Sequence, residues 1–298
     1  MLCQHVDSTT FMKTRLENNR QHYKKGGWSI LTSREKEILC QEKQIILPNR
    51  LISPLVFSDC LGLIYIKRNP HMPDFSNFEK KLFFTLSEQV STALKILHQY
   101  REEQKTIFSY IKSLTNILEQ FVPTSSLHVK SILPLIKSLA KELKLSETET
   151  KSLEYASLLH DTGKIQVPHK LLNKQKPLTE EEFKIIMKHP RKGADMLKNV
   201  ELMKPVIPII LHHHERYDGK GYPSRLKKEQ IPVGSRILAV IDAFDAMYFG
   251  RPYKKRLSMK EINEELLKEA NKQFDPAVVN AFMLILQRKP IRKYLHLP

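Results

Sequence analysis

His212-His213-His214-Glu215-Arg216-Tyr217-Asp218-Gly219-Lys220-Gly221-Tyr222-Pro223 is the stretch on which the reading of this 298-residue chain turns. Three consecutive histidines and a glutamate run into a segment punctuated by two glycines and a proline. Upstream stand a His160-Asp161 pair and a lone His189; downstream stands Asp242. Imidazole nitrogens and carboxylate oxygens are the ligands of divalent metals such as iron, manganese and zinc. The chain has enough of them for two ions, with no cysteine needed. Three successive side chains on a helix cannot all point the same way, so one of the three histidines is expected to face elsewhere.

Around this stretch the pattern is helical. Ser146 with Glu149, Thr179 with Glu182 and Ser258 with Glu261 have the spacing of capping boxes. Pro168, Pro177, Pro190 and Pro223 mark turns between helices. His160 and Asp161 end a helix whose apolar face includes Leu153, Ala156 and Leu159, and His189 opens another. No sustained strand alternation follows residue 125. The spacing therefore predicts an all-α bundle with metals held between facing helices.

Farther upstream lies a long helix. Ser76 and Glu79 form a capping box at its start. Apolar positions then recur at Leu86, Val90, Ala93, Leu97, Tyr100, Ile107, Ile111, Leu114, Leu118 and Phe121, with Gln104 as the single polar member. The gaps alternate four and three, which is a heptad pattern. At ~1.5 Å per residue the stretch would span roughly 50 Å. A parallel dimer stalk through residues 86–121 is the expectation. Before it, Leu51–Phe57 and Leu61–Ile66 read as a β-hairpin. The organisation expected is a small α+β domain over 1–75, a linker helix over 76–121 and a helical bundle over 122–298.

Composition sets outer bounds. The formal net charge of +17 suits a phosphate-rich partner, whether a cyclic dinucleotide or RNA or DNA, although the lysines are dispersed and also read as solvated faces. No apolar run approaches the ~18 residues of a spanning helix, so membrane insertion is not expected. The start lacks a basic region followed by an apolar run, and the three cysteines lack metal-type spacing. A cytoplasmic location with free thiols is the corresponding expectation.

His160-Asp161-Thr162-Gly163-Lys164, followed by H-H-E-x-x-D-G-x-G-Y-P over 213–223, resembles the HD-GYP family. Those proteins are metal-dependent phosphodiesterases that open cyclic di-GMP, a branch of the HD phosphohydrolase superfamily. The resemblance covers roughly residues 120 to 287. It includes, in order, Val167-Pro168, His189-Pro190 with Gly193, Ser235-Arg236-Ile237, Asp242 with Phe244-Asp245-Ala246, Arg251-Pro252-Tyr253 and Phe274-Asp275-Pro276.

The resemblance implies a ligand set of His128, His160, Asp161, His189, His213, His214 and Asp242. His128, His160, Asp161 and Asp242 would hold one ion; Asp161, His189, His213 and His214 would hold the other. Asp161 would bridge the two, and His212 would face away. Iron is the first choice of metal and manganese the alternative. Asp161 and Lys164 carry the catalytic roles, and Lys164, Tyr222, Arg251 and Lys254 contact substrate. The G-Y-P loop also implies a signalling-protein partner, whereas no nucleic-acid polymer is expected.

One position and two short segments depart from the family pattern. Thr124 stands where some members have a Glu for a third metal, so two ions are expected. His128-Val129-Lys130-Ser131-Ile132 replaces H-S-x-R-V, and Met247-Tyr248-Phe249-Gly250 replaces L-T-S-D. The reading implied is an active enzyme on cyclic di-GMP or a related cyclic dinucleotide. The departures feed one rival, a non-catalytic receptor. A second rival, an HD hydrolase acting on nucleotides or RNA, is opposed by the intact G-Y-P segment with Arg251-Pro252-Tyr253. Pro54-Leu55, Leu61-Gly62-Leu63-Ile64-Tyr65 and Phe75-Ser76 before a helix are similar to the C-terminal half of a GAF domain, truncated here.

Overall fold

Leu51 and Ile52 are neighbours in one strand, yet both are buried, because successive strand side chains leave by opposite faces. That pair sets up the N-terminal unit. The computed structural model describes residues 14–15, 31–40, 43–57, 60–69, 71–121, 129–174, 176–250 and 256–295. Thr124, His128, Arg251 and Lys254 lie outside these residues. Two compact units are present, Met1–Ile107 and Phe108–Pro298.

In the first unit, β1 (Thr14–Arg15), β2 (Ile45–Leu47), β3 (Arg50–Phe57) and β4 (Cys60–Lys67) form an antiparallel sheet in the order β1-β4-β3-β2. The expected hairpin is β3 with β4, in a register that runs from Arg50 opposite Lys67 to Phe57 opposite Cys60. On one face Ile45, Ile52 and Leu63 pack with Leu31 and Leu39, the latter on α1 (Ser33–Cys40). On the other, Leu51 packs with Phe75 and Phe83. Both faces of the sheet are thus covered, one by α1 and one by the start of α2 (Asn77–Phe121). Ser76 and Glu79 form the capping box, and Arg68 pairs with Glu79 while its guanidinium lies 4.1 Å from the Phe75 ring centre.

The 45-residue α2 runs unbroken through the point at which the two units divide. In its last turns Ile111 and Thr115 are buried, and the Thr115 hydroxyl lies 3.3 Å from the Leu158 carbonyl of the second unit's bundle.

That bundle comprises α3 (Val129–Glu142), α4 (Glu147–Leu159), α5 (His169–Leu172), α6 (Glu180–Ile186), α7 (His189–Leu197), α8 (Ile207–Leu211), α9 (Val233–Tyr248), α10 (Met259–Lys268), α11 (Pro276–Leu286) and α12 (Lys289–Tyr294). The three capping boxes read from the sequence start α4, α6 and α10. The apolar α9 is central, packing on α3, α4, α8, α10 and α11. Leu135, Ile136, Leu153, Ile237, Ile241, Phe244 and Phe282 are almost fully buried. At about 25 cal/mol per Å² of apolar surface removed from water, such side chains contribute about 1.5–3 kcal/mol each. Arg236 of α9 pairs at 2.5 Å with Asp275, which also caps α11 by accepting from the Ala277 N–H at 2.8 Å. The Ser-Arg-Ile and Phe-Asp-Pro segments of the sequence meet in this way. Among the described residues no helix is long and apolar enough to cross a membrane.

Candidate metal centre

Helix ends and turns position most of the candidate ligands. α4 stops at Leu159, so His160 is its C-cap and Asp161 the first residue of the turn into a 3₁₀ helix, Thr162–Gln166. His189 is the first residue of α7, and His212, His213 and His214 form the turn that follows α8. Gly163 lets these ends approach. A Cβ there would lie 2.0 Å from the His189 carbonyl oxygen and 2.6 Å from the Gly193 nitrogen. Only a residue without a side chain permits that backbone contact.

The approach places His189 Nε2 at 3.4 Å from Asp161 Oδ1 and His160 Nε2 at 3.6 Å from Asp161 Oδ2. His213 completes the cluster, with its Nε2 at 3.4 Å from His189 Nε2 and its ring centre 5.0 Å from that of His160. The His214 ring lies 4.0 Å from that of His213 and 5.0 Å from that of His189. His160, His189 and His213 are each 1% exposed, a degree of burial that an imidazole tolerates only with its polar atoms satisfied.

Three of these imidazoles are oriented in the same way. Nδ1 of His160 meets the Ser157 carbonyl at 3.0 Å, Nδ1 of His189 the Ile186 carbonyl at 2.9 Å, and Nδ1 of His213 the Ile210 carbonyl at 2.6 Å. A carbonyl only accepts, so Nδ1 carries a proton in each ring, and in the neutral ring Nε2 keeps its lone pair. This is how metal-ligating histidines are commonly fixed. The lone pairs of His189 and His213 then face one another with no proton between them. His160 Nε2 is buried with no hydrogen-bond partner. Cations held among these atoms would satisfy them. The ligand atoms of His189, His213 and His214, and those of His160, Asp161 and His213, fall into two groups within 4.8 Å. An N/O donor set of this kind fits a divalent transition metal.

The electrostatics agree. Burial would raise the Asp161 carboxyl, but Lys164, whose Nζ is 2.6 Å from Oδ2, together with His160 and His189 holds it well below the ordinary carboxylate range. Burial, reinforced by the neighbouring His214, His160 and His189, holds His213 well below the usual imidazole range. Burial and His189 bring His214 down to about 3, with Asp242 and Asp161 opposing. His213 and His214 are therefore neutral and the Asp161 carboxylate charged near pH 7, as ligation requires. Asp242, on α9, acts on both His214 and Tyr222.

His212 is turned away from the cluster, with Nδ1 at 3.5 Å from Glu215 Oε1. In the sequence Glu215 is only a motif marker; in the structure it has a task. Its enclosed carboxylate accepts from the backbone N–H of Ser224 at 2.6 Å and of Leu226 at 3.2 Å. Both donors follow the Tyr222-Pro223 segment, so Glu215 folds the loop back onto the histidines. Gly221 allows the return, since a Cβ there would lie 2.3 Å from the Arg216 nitrogen. Tyr222 donates its N–H to the His214 carbonyl at 3.3 Å, and the two rings lie 4.9 Å apart. The rest of the loop is braced as well. Arg216 grips Asp218 through two nitrogens, and the Tyr217 hydroxyl donates to Glu229 at 2.7 Å.

Of the residues read from the sequence, the structure thus brings together His160, Asp161, Lys164, His189, His213, His214 and Tyr222, with Asp242 nearby. His128, Arg251 and Lys254 lie outside the described residues.

A helical domain with an imidazole–carboxylate cluster at its helix ends is the class that fold and site define. The chain belongs to the HD domain family, whose profile matches residues 112–278. It is 39% identical over 166 residues to the cyclic di-GMP phosphodiesterase PA4108 of Pseudomonas aeruginosa, an alignment covering 55% of this chain and 40% of that protein. It is 30% identical over 212 residues to the 3′3′-cGAMP-specific phosphodiesterase 2 of Vibrio cholerae, covering 70% of this chain and 41% of that protein. The chain therefore spans about two fifths of the length of either relative. Its fold is similar to that of a cyclic GMP-AMP-specific phosphodiesterase structure from Vibrio cholerae, at a TM-score of 0.50 and 20% identity, covering 63% of this chain and 50% of that one.

Proposed function

We propose that the Phe108–Pro298 unit is a metal-dependent phosphodiesterase that opens a cyclic dinucleotide. Cyclic di-GMP is the first substrate, in keeping with the Pseudomonas aeruginosa relative, and 3′3′-cGAMP is the alternative. Linear pGpG is the product of the first cut and GMP that of a second. The observation that carries the reading is the set of Nδ1-anchored imidazoles whose Nε2 lone pairs converge around Asp161.

Two ions are assigned, iron first and manganese as the alternative. His128, His160, Asp161 and Asp242 hold one; Asp161, His189, His213 and His214 hold the other. Asp161 suits the shared position because its two oxygens face different imidazoles. Divalent ions at such a site supply Lewis acidity and lower the pKa of a water molecule. Lys164 keeps its ammonium at the Asp161 carboxylate, half enclosed, where it meets the negative charge that develops on the phosphoryl oxygens. Tyr222 walls the cluster on the loop side. By family resemblance Arg251 and Lys254 clamp the substrate phosphates, a task suited to a forked guanidinium. The net charge of +17 favours the approach of such a bis-phosphate. The G-Y-P loop doubles as the surface for a signalling-protein partner, and residues 1–75 are a truncated GAF-like domain.

A receptor that binds without cleaving is the second reading, favoured by the departures at Thr124, Ser131 and Met247–Gly250. One experiment separates the two: metal analysis and a cyclic di-GMP hydrolysis assay on protein purified without oxygen. The expected outcome is two ions per chain, formation of pGpG, and loss of both turnover and metal in Asp161→Ala. Binding without turnover by the metal-loaded protein would establish the receptor. A third, fully occupied ion would overturn the two-ion assignment, and near-native turnover in Asp161→Ala would overturn the site.

A further inference from the structure

α6 is a seven-residue helix with no buried residue, although its sequence Glu-Glu-Glu-Phe-Lys-Ile-Ile is nearly half apolar. Its place is fixed by other means. The Thr179–Glu182 capping box starts it, Lys174 pairs with Glu182, and Ile186 rests partly against Val167 and Leu172. Phe183 remains 46% exposed. A single exposed phenylalanine needs no explanation. This one is distinguished by its neighbour, because its ring meets that of Tyr222 edge to face, with centres 6.4 Å apart and planes at 83°. Tyr222 in turn leans on His214 at 4.9 Å. A line of rings therefore leads from the imidazole cluster to the surface, and its outermost member has a ring surface open to solvent.

We infer that Phe183, seated on Tyr222, is a stacking platform for one purine base of the substrate. The inference rests on the proposed phosphodiesterase reading and adds a residue and a ligand chemistry to it. A phosphate docked at the cluster has its base one sugar away, and the Tyr222–Phe183 rings offer that base a surface beside the cluster. Every nucleobase has a π face, and stacking on an aromatic side chain needs no hydrogen-bond match. The platform therefore admits guanine and adenine alike and holds the base while Lys164 and the cluster engage the phosphate. Phe183 is thus a substrate-binding residue that holds a base without discriminating between guanine and adenine.

The test uses the full chain loaded with metal, titrated with cyclic di-GMP and with an analogue in which one guanine is replaced by fluorescent 2-aminopurine. Phe183→Ala is expected to weaken binding about five- to hundredfold, the range that loss of one stacked base supports. Metal content should stay unchanged, and the penalty should fall on KM more than on kcat. The quenching of 2-aminopurine on binding should be lost, and Phe183→Trp should restore it. Unchanged affinity and quenching in Phe183→Ala would overturn the platform, as would a loss of metal or a failure of Trp to rescue. If the native protein binds without turnover and Phe183→Ala still weakens binding, the platform stands and the phosphodiesterase reading fails. If the native protein binds no cyclic purine dinucleotide, both fall.

Discussion

Glu215 is the residue whose loss should be felt beyond its own contacts. Its carboxylate is enclosed and accepts two backbone N–H groups that fold the Tyr222-Pro223 segment against His214. Glu215→Ala would strand both donors in the interior, at about 1–3 kcal/mol for each unsatisfied group. We expect a clearly lower Tm by calorimetry, together with weakened metal binding, since His214 follows the loop. Glu215→Gln, which keeps one acceptor oxygen, should recover part of the stability; an unaltered Tm in the Ala variant would show that the loop is held by its other braces. The candidate ligands themselves are legible in the amino-acid sequence. His160-Asp161, His189 and His213-His214 stand out because their chemistry is concentrated in short segments. Their orientation is not legible there. The Nδ1 contacts with carbonyls three residues earlier depend on local backbone geometry, and the grip of Glu215 on Ser224 and Leu226 depends on a loop returning over itself. Phe183 gives no signal in the sequence for the same reason: a phenylalanine among glutamates and lysines gains a role only when Tyr222 is placed beside it.

At the level of elements, the approach of the 3₁₀ helix to α7 determines how far Asp161 stands from His189. The contact is backbone against backbone at Gly163. Gly163→Ala must push the two apart, because neither partner is a flexible side-chain end. Overpacking of this kind costs about 1–3 kcal/mol, and the displacement falls along the Asp161–His189 direction. The expected result is a weaker affinity for the divalent ion, measured by competition with a chelator, in a domain that still unfolds cooperatively; an affinity equal to that of the native protein would mean that α7 yields elsewhere. Helix starts are the most legible elements, since a Ser or Thr followed three residues later by Glu announces itself, and all four such pairs cap the helices expected of them. The two-residue β1 is not legible, because a strand so short has no period and is defined only by its pairing with Leu61 and Cys60.

For the whole molecule, the question is what covers α2. The heptad stripe read from the sequence divides in the structure. Ile111 is buried within its own chain, whereas Leu86, Leu97, Tyr100 and Leu114 are each more than half exposed. A second copy of the chain in parallel would cover the exposed members, with Gln104 facing Gln104 and setting register. The probe that leaves the bundle's own core alone is therefore Leu86→Asp with Leu97→Asp. We expect sedimentation of the native protein to give a dimer and this variant a monomer that still holds metal; a native monomer at tens of micromolar would remove the stalk. The division of the chain inside α2 is not legible in the sequence, because a continuous heptad gives no sign of where one core stops and the next begins. The placing of the ligands has a consequence of a different kind. His160, Asp161, His189, His213 and His214 all stand at helix ends or in turns, and of the described candidate ligands Asp242 alone is carried within the central α9. Drift in the connecting segments can therefore reshape most of the cluster's surroundings and leave the bundle beneath it alone.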